Sequence, residues 1–334
     1  MAEDRILLGH GGGGLLTRSL IDTEIVKRFG EGPLEGLPDG ALLPAVQGKI
    51  VFSTDSFVVS PGFFPGGNIG DLAVHGTVND VAVSGAIPKW LSLALIIEEG
   101  YPLSQLREIL DSVKKAANHC GVIIVTGDTK VVRKGQCDGI YINTAGIGEA
   151  IDGFALGAAG IRVGDKVVVS GNLGDHGMAV MAARDGLGTG KLKSDSAPVH
   201  RLVQSLTGLA DRVRFMRDPT RGGLAATLNE IVENRPVGVL LDEGLLPFSN
   251  EAKGLAEMLG FDLLHVASEG RMMCVCQGDV ANQVVDFWQA LPEGKDACIV
   301  GEVTDVAGRV VLETAIGGKR IVDVPQGELL PRIC

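Results

Sequence analysis

Apolar positions along the chain recur with two periods, and the switches between them mark out the elements. KIVFSTDSFVVS (49–60) has the composition of a strand, and WLSLALII (90–97) that of a buried one. VIIVTGDTKVV (122–132) and IYINTAGIGEA (140–150) are two more strands, joined by the polar turn RKGQCDG. Between them the period lengthens to that of helices. Ile69 to about Ser84 follows the Gly- and Pro-rich loop PGFFPGGN as one helix. Pro102 and Ser104 open another, with Leu106, Ile109, Leu110, Val113 and Ala117 on one face and Gly121 at its end. Residues 46–150 therefore read as a mixed α/β domain. Residues 1–45 are a glycine-rich arm with one short helix around Thr17–Phe29.

After a linker at 152–165, a second α/β domain is expected over 151–324. Its predicted helices lie around 177–185, 199–209, 222–233, 249–259 and 279–290. Its predicted strands are 166–171, 237–242, 263–267, 271–276 and 297–303, with RIVDV (320–324) as the last. Residues 325–334, PQGELLPRIC, hold two prolines and no periodic pattern. They read as an exposed, flexible tail whose last residue is a cysteine.

Composition narrows the functional classes. The chain has 334 residues, 45% of them hydrophobic, a formal net charge of −11 and no lysine- or arginine-rich block. Nucleic acid is thus not an expected partner, because binding it depends on neutralising phosphates. The apolar runs fall short of the roughly 20 residues of a membrane span. The start MAEDRILLGH lacks the features of a secretory signal. A soluble, cytoplasmic protein with no membrane partner is expected. Of the six cysteines none forms CxxC; Cys274 and Cys276 alternate in RMMCVCQG and are expected on one side of a sheet, as reduced core thiols. Cys334 does not fit that pattern. A terminal thiol suits a side chain that visits other surfaces better than one packed in a core.

Several motifs have the composition of an anion and cation site. HGGGG (10–14) offers bare backbone N–H groups that can wrap phosphates, or is a structureless arm. STDSF puts Asp55 in an apolar strand, VNDVAVSGA puts Asp80 in an apolar helix, and VTGDTK puts Asp128 after a buried strand. RDPTRGG puts Asp218 just before a helix. Each of these aspartates alone can be structural. Together, amid Gly and Thr, they suit Mg²⁺, which prefers hard oxygen ligands. The absence of GxxxxGK[ST] excludes a P-loop as the phosphate cradle. SGNLGDHG (170–177) either cradles a second anion or caps a helix, and its His176 reads as a surface polar group. Glu269 in ASEGRM reads as a turn glutamate.

FPGGNIGDLAVHGTVNDVAVSGAIP, VTGDTKVV, INTAGIG, LGDHG, RDPTRGG and the final PRIC, in that order, resemble the HypE family of hydrogenase maturation factors, within the aminoimidazole ribonucleotide synthetase-like superfamily. Asp71, Cys120 and Cys137 lie outside the pattern. The resemblance implies a two-domain fold, a homodimer closing a β-barrel-like sheet, and an ATP cleft near that interface. It implies a carbamoyl dehydratase acting on its own tail. A carbamoyltransferase, HypF, would load Cys334; ATP-dependent dehydration would turn the thiocarboxamide into a thiocyanate; and a HypC–HypD complex would receive the cyanide on iron. Gly11, Gly12, Gly13, Asp55, Asn79, Asp80, Gly127, Asp128, Asp218 and Thr220 would hold ATP, with Asp55, Asp80 and Asp218 on Mg²⁺. Lys130 and Glu269 would lie where the tail enters, Glu269 as the base. Ten residues of loose tail span at most about 35 Å. Two other classes use part of this set. A superfamily synthetase or kinase acting on a free small molecule needs the aspartates but not Cys334. A metal-group chaperone needs Cys334 but not the aspartates.

Overall fold

The protein is described from a computed structural model over residues 5–188, 190–324 and 332–334. The N-terminal arm winds through α1 (Leu15–Leu20), a π-helical segment (Ile21–Val26) and α2 (Lys27–Phe29). Then come β1 (Ile50–Phe57), β2 (Phe63–Phe64), β3 (Gly67–Asn68) and α3 (Ile69–Val83). They are followed by β4 (Ala86–Glu98), α4 (Leu103–Cys120), β5 (Ile123–Val132) and β6 (Ile140–Ala150). The long strands form a four-stranded sheet in the order β1-β6-β4-β5, in which only β4 and β5 run parallel.

Local chemistry sets the helix ends. The Asn68 side chain accepts the Gly70 N–H, and the Asp71 carboxylate accepts the Asn68 N–H, a reciprocal box that opens α3. Gly121, at φ 69°, closes α4 in the left-handed region. Leu106, Ile109, Leu110, Val113 and Ala117 of α4 are all buried, as their spacing predicts. Burying each of the larger ones contributes roughly 1.5–3 kcal/mol. Helix α3 is buried on nearly every side. It rests closely on β1 because Gly76 faces Phe57: a Cβ there would stand 2.8 Å from the ring.

The second unit contains β7 (Lys166–Val169), α5 (Asp175–Arg184), α6 (His200–Ser205), β8 (Val213–Arg217) and α7 (Gly223–Val232). It continues with β9 (Gly238–Asp242), α8 (Asn250–Leu259), β10 (Met273–Cys276) and α9 (Ala281–Gln289). It ends with β11 (Cys298–Thr304), β12 (Val310–Glu313) and β13 (Lys319–Ile321). The seven-stranded sheet has the order β13-β12-β9-β11-β7-β10-β8. Cys274 and Cys276 do share one face, in the core with Met272 and Trp288. Ala82 and Val83, at the end of α3, pack into that same core, so α3 joins the two units.

Three expectations about structure are corrected. The strand expected at 263–267 is a 3₁₀ turn, Leu263–His265, because the Asp262 side chain accepts the Leu264 N–H and winds the chain. Strands β8 and β12 were not anticipated. The third correction concerns the tail. Ile333 and Cys334 are only 4% and 7% exposed, and both join the core of the first unit. The rest of the expected tail, residues 325–331, lies outside the described residues.

Candidate functional site: a docked terminal cysteine

The end of the chain is held at every residue described. The Cys334 carbonyl accepts the Val58 N–H at 3.1 Å, and the Arg332 carbonyl accepts the Ser60 N–H at 3.2 Å, so the tail runs along the chain just after β1. The Ile333 carbonyl lies 2.9 Å from His176 Nε2. The Arg332 guanidinium bonds the Val58 carbonyl at 3.0 Å and Asp138 at 2.7 Å, and stacks over Tyr141. Arg184 bridges the carbonyls of Ser60 and Arg332 at 2.6 and 2.8 Å. His176 is therefore no surface group: it is fully buried at the start of α5, its ring edge-on to Phe64.

The thiol sits at an acidic seam. Arg221 Nε lies 3.2 Å from Cys334 Sγ. Burial first, and the neighbouring Glu269 second, push the thiol up to about 12, against a partial offset from Arg221. Glu269 lies on the loop before β10. The loop is held by Asp195, which accepts the Glu269 N–H at 2.9 Å, and by Asn79, whose Nδ2 donates to the Glu269 carbonyl at 3.1 Å. The Glu269 side chain is buried and its Oε1 has no hydrogen-bond partner. Burial, then the charge of Asp218, raise its carboxyl well above the usual range.

Strand alternation explains Asp55. Ser53, Asp55 and Phe57 point to the face of β1 that α3 covers, where the Ser53 hydroxyl donates to Asp80 at 2.8 Å. Asp218, after β8, is buried, and burial followed by repulsion from Asp80 pushes it up to about 7. Desolvation raises Asp55 and Asp80 as well, and Asp55 adds to the push on Asp80. Asp80 and Asp218 line an open cleft of 560 Å³ with Ser53, Arg217 and Thr220. Carboxyls crowded in this way favour a divalent cation, whose preferred ligands are hard oxygens. These hard-oxygen donors suit Mg²⁺ in kind, but among the described residues no group of three or more His, Cys, Asp or Glu side chains is gathered closely enough to hold a metal ion.

Asn79, expected on the nucleotide, is instead fully buried with its amide bonded to the backbone of Ala197, Val199 and Glu269. The other predicted residues gather elsewhere. Gly11, Gly13, Gly127, Asp128 and Lys130 line a second cleft of 250 Å³, whose apolar wall includes Ile25, Leu93 and Leu95. Gly12 is exposed between Gly11 and Gly13. Lys130 is not brought to Glu269: its ammonium pairs with Asp128 at 3.0 Å on the exposed side of β5. The reason is alternation, which puts residues 128 and 130 on one side of the same strand. Among the described residues, no residue lines both clefts. Sequence reasoning missed Arg221, Asp195 and Arg184, and misplaced His176. Arg221 lies inside RDPTRGG and was within reach; the others carry no local signal.

The two units and the acidic seam between them define a member of the AIR synthase related class. Residues 38–150 match "AIR synthase related protein, N-terminal domain", and residues 162–313 match "AIR synthase related protein, C-terminal domain". Within that class the chain is 47% identical to the carbamoyl dehydratase HypE of Rhizobium leguminosarum bv. viciae, over 100% of this chain and 96% of that protein. It belongs to the HypE carbamoyl dehydratase family. A crystal structure of the hydrogenase maturation protein HypE in complex with ATP superposes with a TM-score of 0.94 at 41% identity, covering 98% of this chain and 99% of that one. A crystal structure of a HypE–HypF complex superposes with a TM-score of 0.81 at 44% identity, covering 92% of this chain and 100% of that one.

Proposed function

We propose that the chain dehydrates an S-carboxamide carried on its own Cys334 to a thiocyanate, using ATP, and so supplies cyanide for the iron of nickel–iron hydrogenase. The observation that carries this reading is the seat of Cys334, where the last thiol of the chain is buried beside Glu269 and hydrogen-bonded to Arg221. A free-substrate synthetase has no use for that arrangement, and a passive chaperone has none for the aspartates.

The chemistry follows from the groups present. A carboxamide oxygen leaves poorly. Transfer of the γ-phosphoryl group to that oxygen releases ADP and one N–H proton. Departure of phosphate with the second N–H proton then leaves S–C≡N. Glu269, buried and with one oxygen unpaired, is the group to receive these protons. In its ionised form, a carboxyl whose proton affinity burial has raised is the stronger base. Asp55, Asp80 and Asp218 would hold Mg²⁺, which neutralises phosphate charge when bound. Burial of the tail keeps water from the reacting carbon. Asn79 acts by fixing the Glu269 loop.

ATP contacts are assigned to the glycine arm, Gly127 and Asp128 on one side and to Asp80, Asp218 and Thr220 on the other. Lys130 belongs to the first group rather than to the thiol of its own chain. A homodimer would join the two sets. The outer face of the four-stranded sheet leaves Phe52 65% exposed, with Ile96 on the same face, which suits pairing with a second copy into a barrel. HypF is the proposed carbamoyl donor and a HypC–HypD complex the acceptor; both require the tail to leave its seat. No helix among the described residues is long and apolar enough to cross a membrane, and the site of action is proposed to be the cytoplasm.

Intact-protein mass spectrometry tests the reading. After incubation with HypF, carbamoyl phosphate and ATP, Cys334 should gain one carbamoyl group, and Mg²⁺–ATP should then remove one water. Absence of any modification at Cys334 would return the chain to the free-substrate enzymes.

A further inference from the structure

The turn 194–199 touches both halves of the site. Because the Ile333 carbonyl can only accept, His176 Nε2 carries the ring proton, and Nδ1 is the acceptor of the Ser194 hydroxyl 2.8 Å away. Ser194 Oγ in turn accepts the Ser196 N–H at 3.0 Å, and the Ser194 N–H donates to the Pro65 carbonyl at 2.7 Å. The adjacent residue, Asp195, is buried; its Oδ1 accepts the Glu269 N–H, while its Oδ2 has no hydrogen-bond partner, with Arg271 Nε 3.8 Å away. Asn79 closes the far end, donating to the Ala197 carbonyl at 3.0 Å and accepting the Val199 N–H at 2.8 Å. There is no slack at the contact with the Glu269 loop. A Cβ on Gly270 would stand 1.8 Å from the Asp195 carbonyl oxygen.

We propose that this turn couples seating of the tail to placement of Glu269, with Ser194 and Asp195 as positioning residues and His176 as the relay from the tail to Ser194. The proposal rests on the roles given above to Cys334 and Glu269. A docked Ile333 carbonyl fixes the tautomer and orientation of His176. That commits the Ser194 hydroxyl, which holds the turn where Asp195 meets the Glu269 N–H. When the tail leaves, the buried His176 loses its acceptor and nothing specifies its tautomer, so the anchor of Glu269 loosens. The base is thus assembled around the tail that brings its substrate. Linkage makes the effect reciprocal: displacing Asp195 loosens a tail that it does not touch.

Two measurements on full-length protein test this. Asp195→Ala should raise the rate at which iodoacetamide alkylates Cys334 by about tenfold, the effect of losing one buried hydrogen bond. Asp195→Asn keeps an acceptor for the Glu269 N–H and should stay within about twofold of the parent, by the same reasoning. Alkylation of Asp195→Ala at the parent rate would overturn the proposal. The second measurement needs no substitution in the turn. Cys334 blocked with a bulky maleimide cannot re-enter its seat. Hydrogen exchange at the Glu269 amide should then quicken by about tenfold. Unchanged exchange would sever the link. Neither readout requires turnover, so failure of thiocyanate formation with the coupling intact counts against the proposed function alone.

Discussion

Arg221 Nε donates a hydrogen bond to Cys334 Sγ across 3.2 Å, which ties the last residue of the chain to the motif that also carries Asp218. RDPTRGG therefore has two jobs. Its aspartate joins the acidic cluster, and its second arginine reaches the thiol, with Gly222 at φ 76° turning the chain between that arginine and α7. Arg221→Met keeps the stem and removes the donor. Since Arg221 is largely exposed, the bond is worth less than a buried charged one. Alkylation of Cys334 at pH 8 should rise about threefold to tenfold, because the released thiol reacts and the docked one does not. ATP titration should move less than twofold. No change in alkylation would mean that the bond does not hold the tail.

Burial pushes the docked thiol up to about 12, above the 9.0 of a free one. Docking thus favours the protonated form. It is at full strength below the pKa of the free thiol, and it weakens as pH rises from about 9 toward 12, by at most about 1.4 kcal/mol per unit. Limited proteolysis after Arg332, followed from pH 8 to 10.5, should show the tail becoming accessible over that window. A Cys334→Ser chain, with no group titrating there, should not show it. Equal behaviour of the two chains would place the release elsewhere.

Most of the fold was legible because local and tertiary demands agree. The α4 face is one example: its apolar period and its closing glycine both point to the helix that forms. Legibility ended where partners far apart in sequence decide. RVRFMR (212–217) holds arginines at 212, 214 and 217, yet β8 forms because it pairs with the apolar β10. PRIC has no periodicity, yet its last three residues dock because Val58, Ser60, His176 and Arg184 offer donors to their carbonyls. His176 reads as polar in LGDHG, yet it is buried against Phe64 with its ring nitrogens met by Ser194 and by the returning Ile333 carbonyl. At the candidate site, Asp55 and Asp80 were legible because each breaks an apolar pattern, and Asp128 and Asp218 because in the sequence each reads as standing at the end of an element. Asp195 was not, since KSDSAP looks like any polar loop.

Metal binding should release protons. Burial and repulsion from Asp80 push Asp218 up to about 7 without a cation, so it holds a proton part of the time at neutral pH, and a divalent ion binds the ionised form. Affinity for Mg²⁺–ATP should therefore rise from pH 6 to pH 8. Titration calorimetry in buffers of different ionisation enthalpy should show proton release near pH 7. Asp218→Asn should abolish both effects. Release that persists in Asp218→Asn would assign the titrating group to another carboxyl of the cluster.

Asp80→Asn should separate binding from stability. Burial, with added repulsion from Asp55, raises the Asp80 carboxyl, while the Ser53 hydroxyl only partly compensates. A carboxyl raised in the fold favours the protonated form. Its stabilising effect is present below the ordinary aspartate range and is lost as pH climbs through the raised value. At pH 8 the apoprotein thus holds a charge that Ser53 and Arg217 offset only in part, and the asparagine removes it while still accepting from Ser53. Nucleotide titration in Mg²⁺ should weaken by about tenfold or more, as loss of a charged ligand gives. The melting temperature of the apoprotein at pH 8 should rise, by about 2 °C for each kcal/mol relieved. The gain should shrink as pH falls toward 4, where the parent carboxyl is protonated too. A variant that melts lower at every pH and binds nucleotide normally would make Asp80 a structural partner of Ser53 and nothing more.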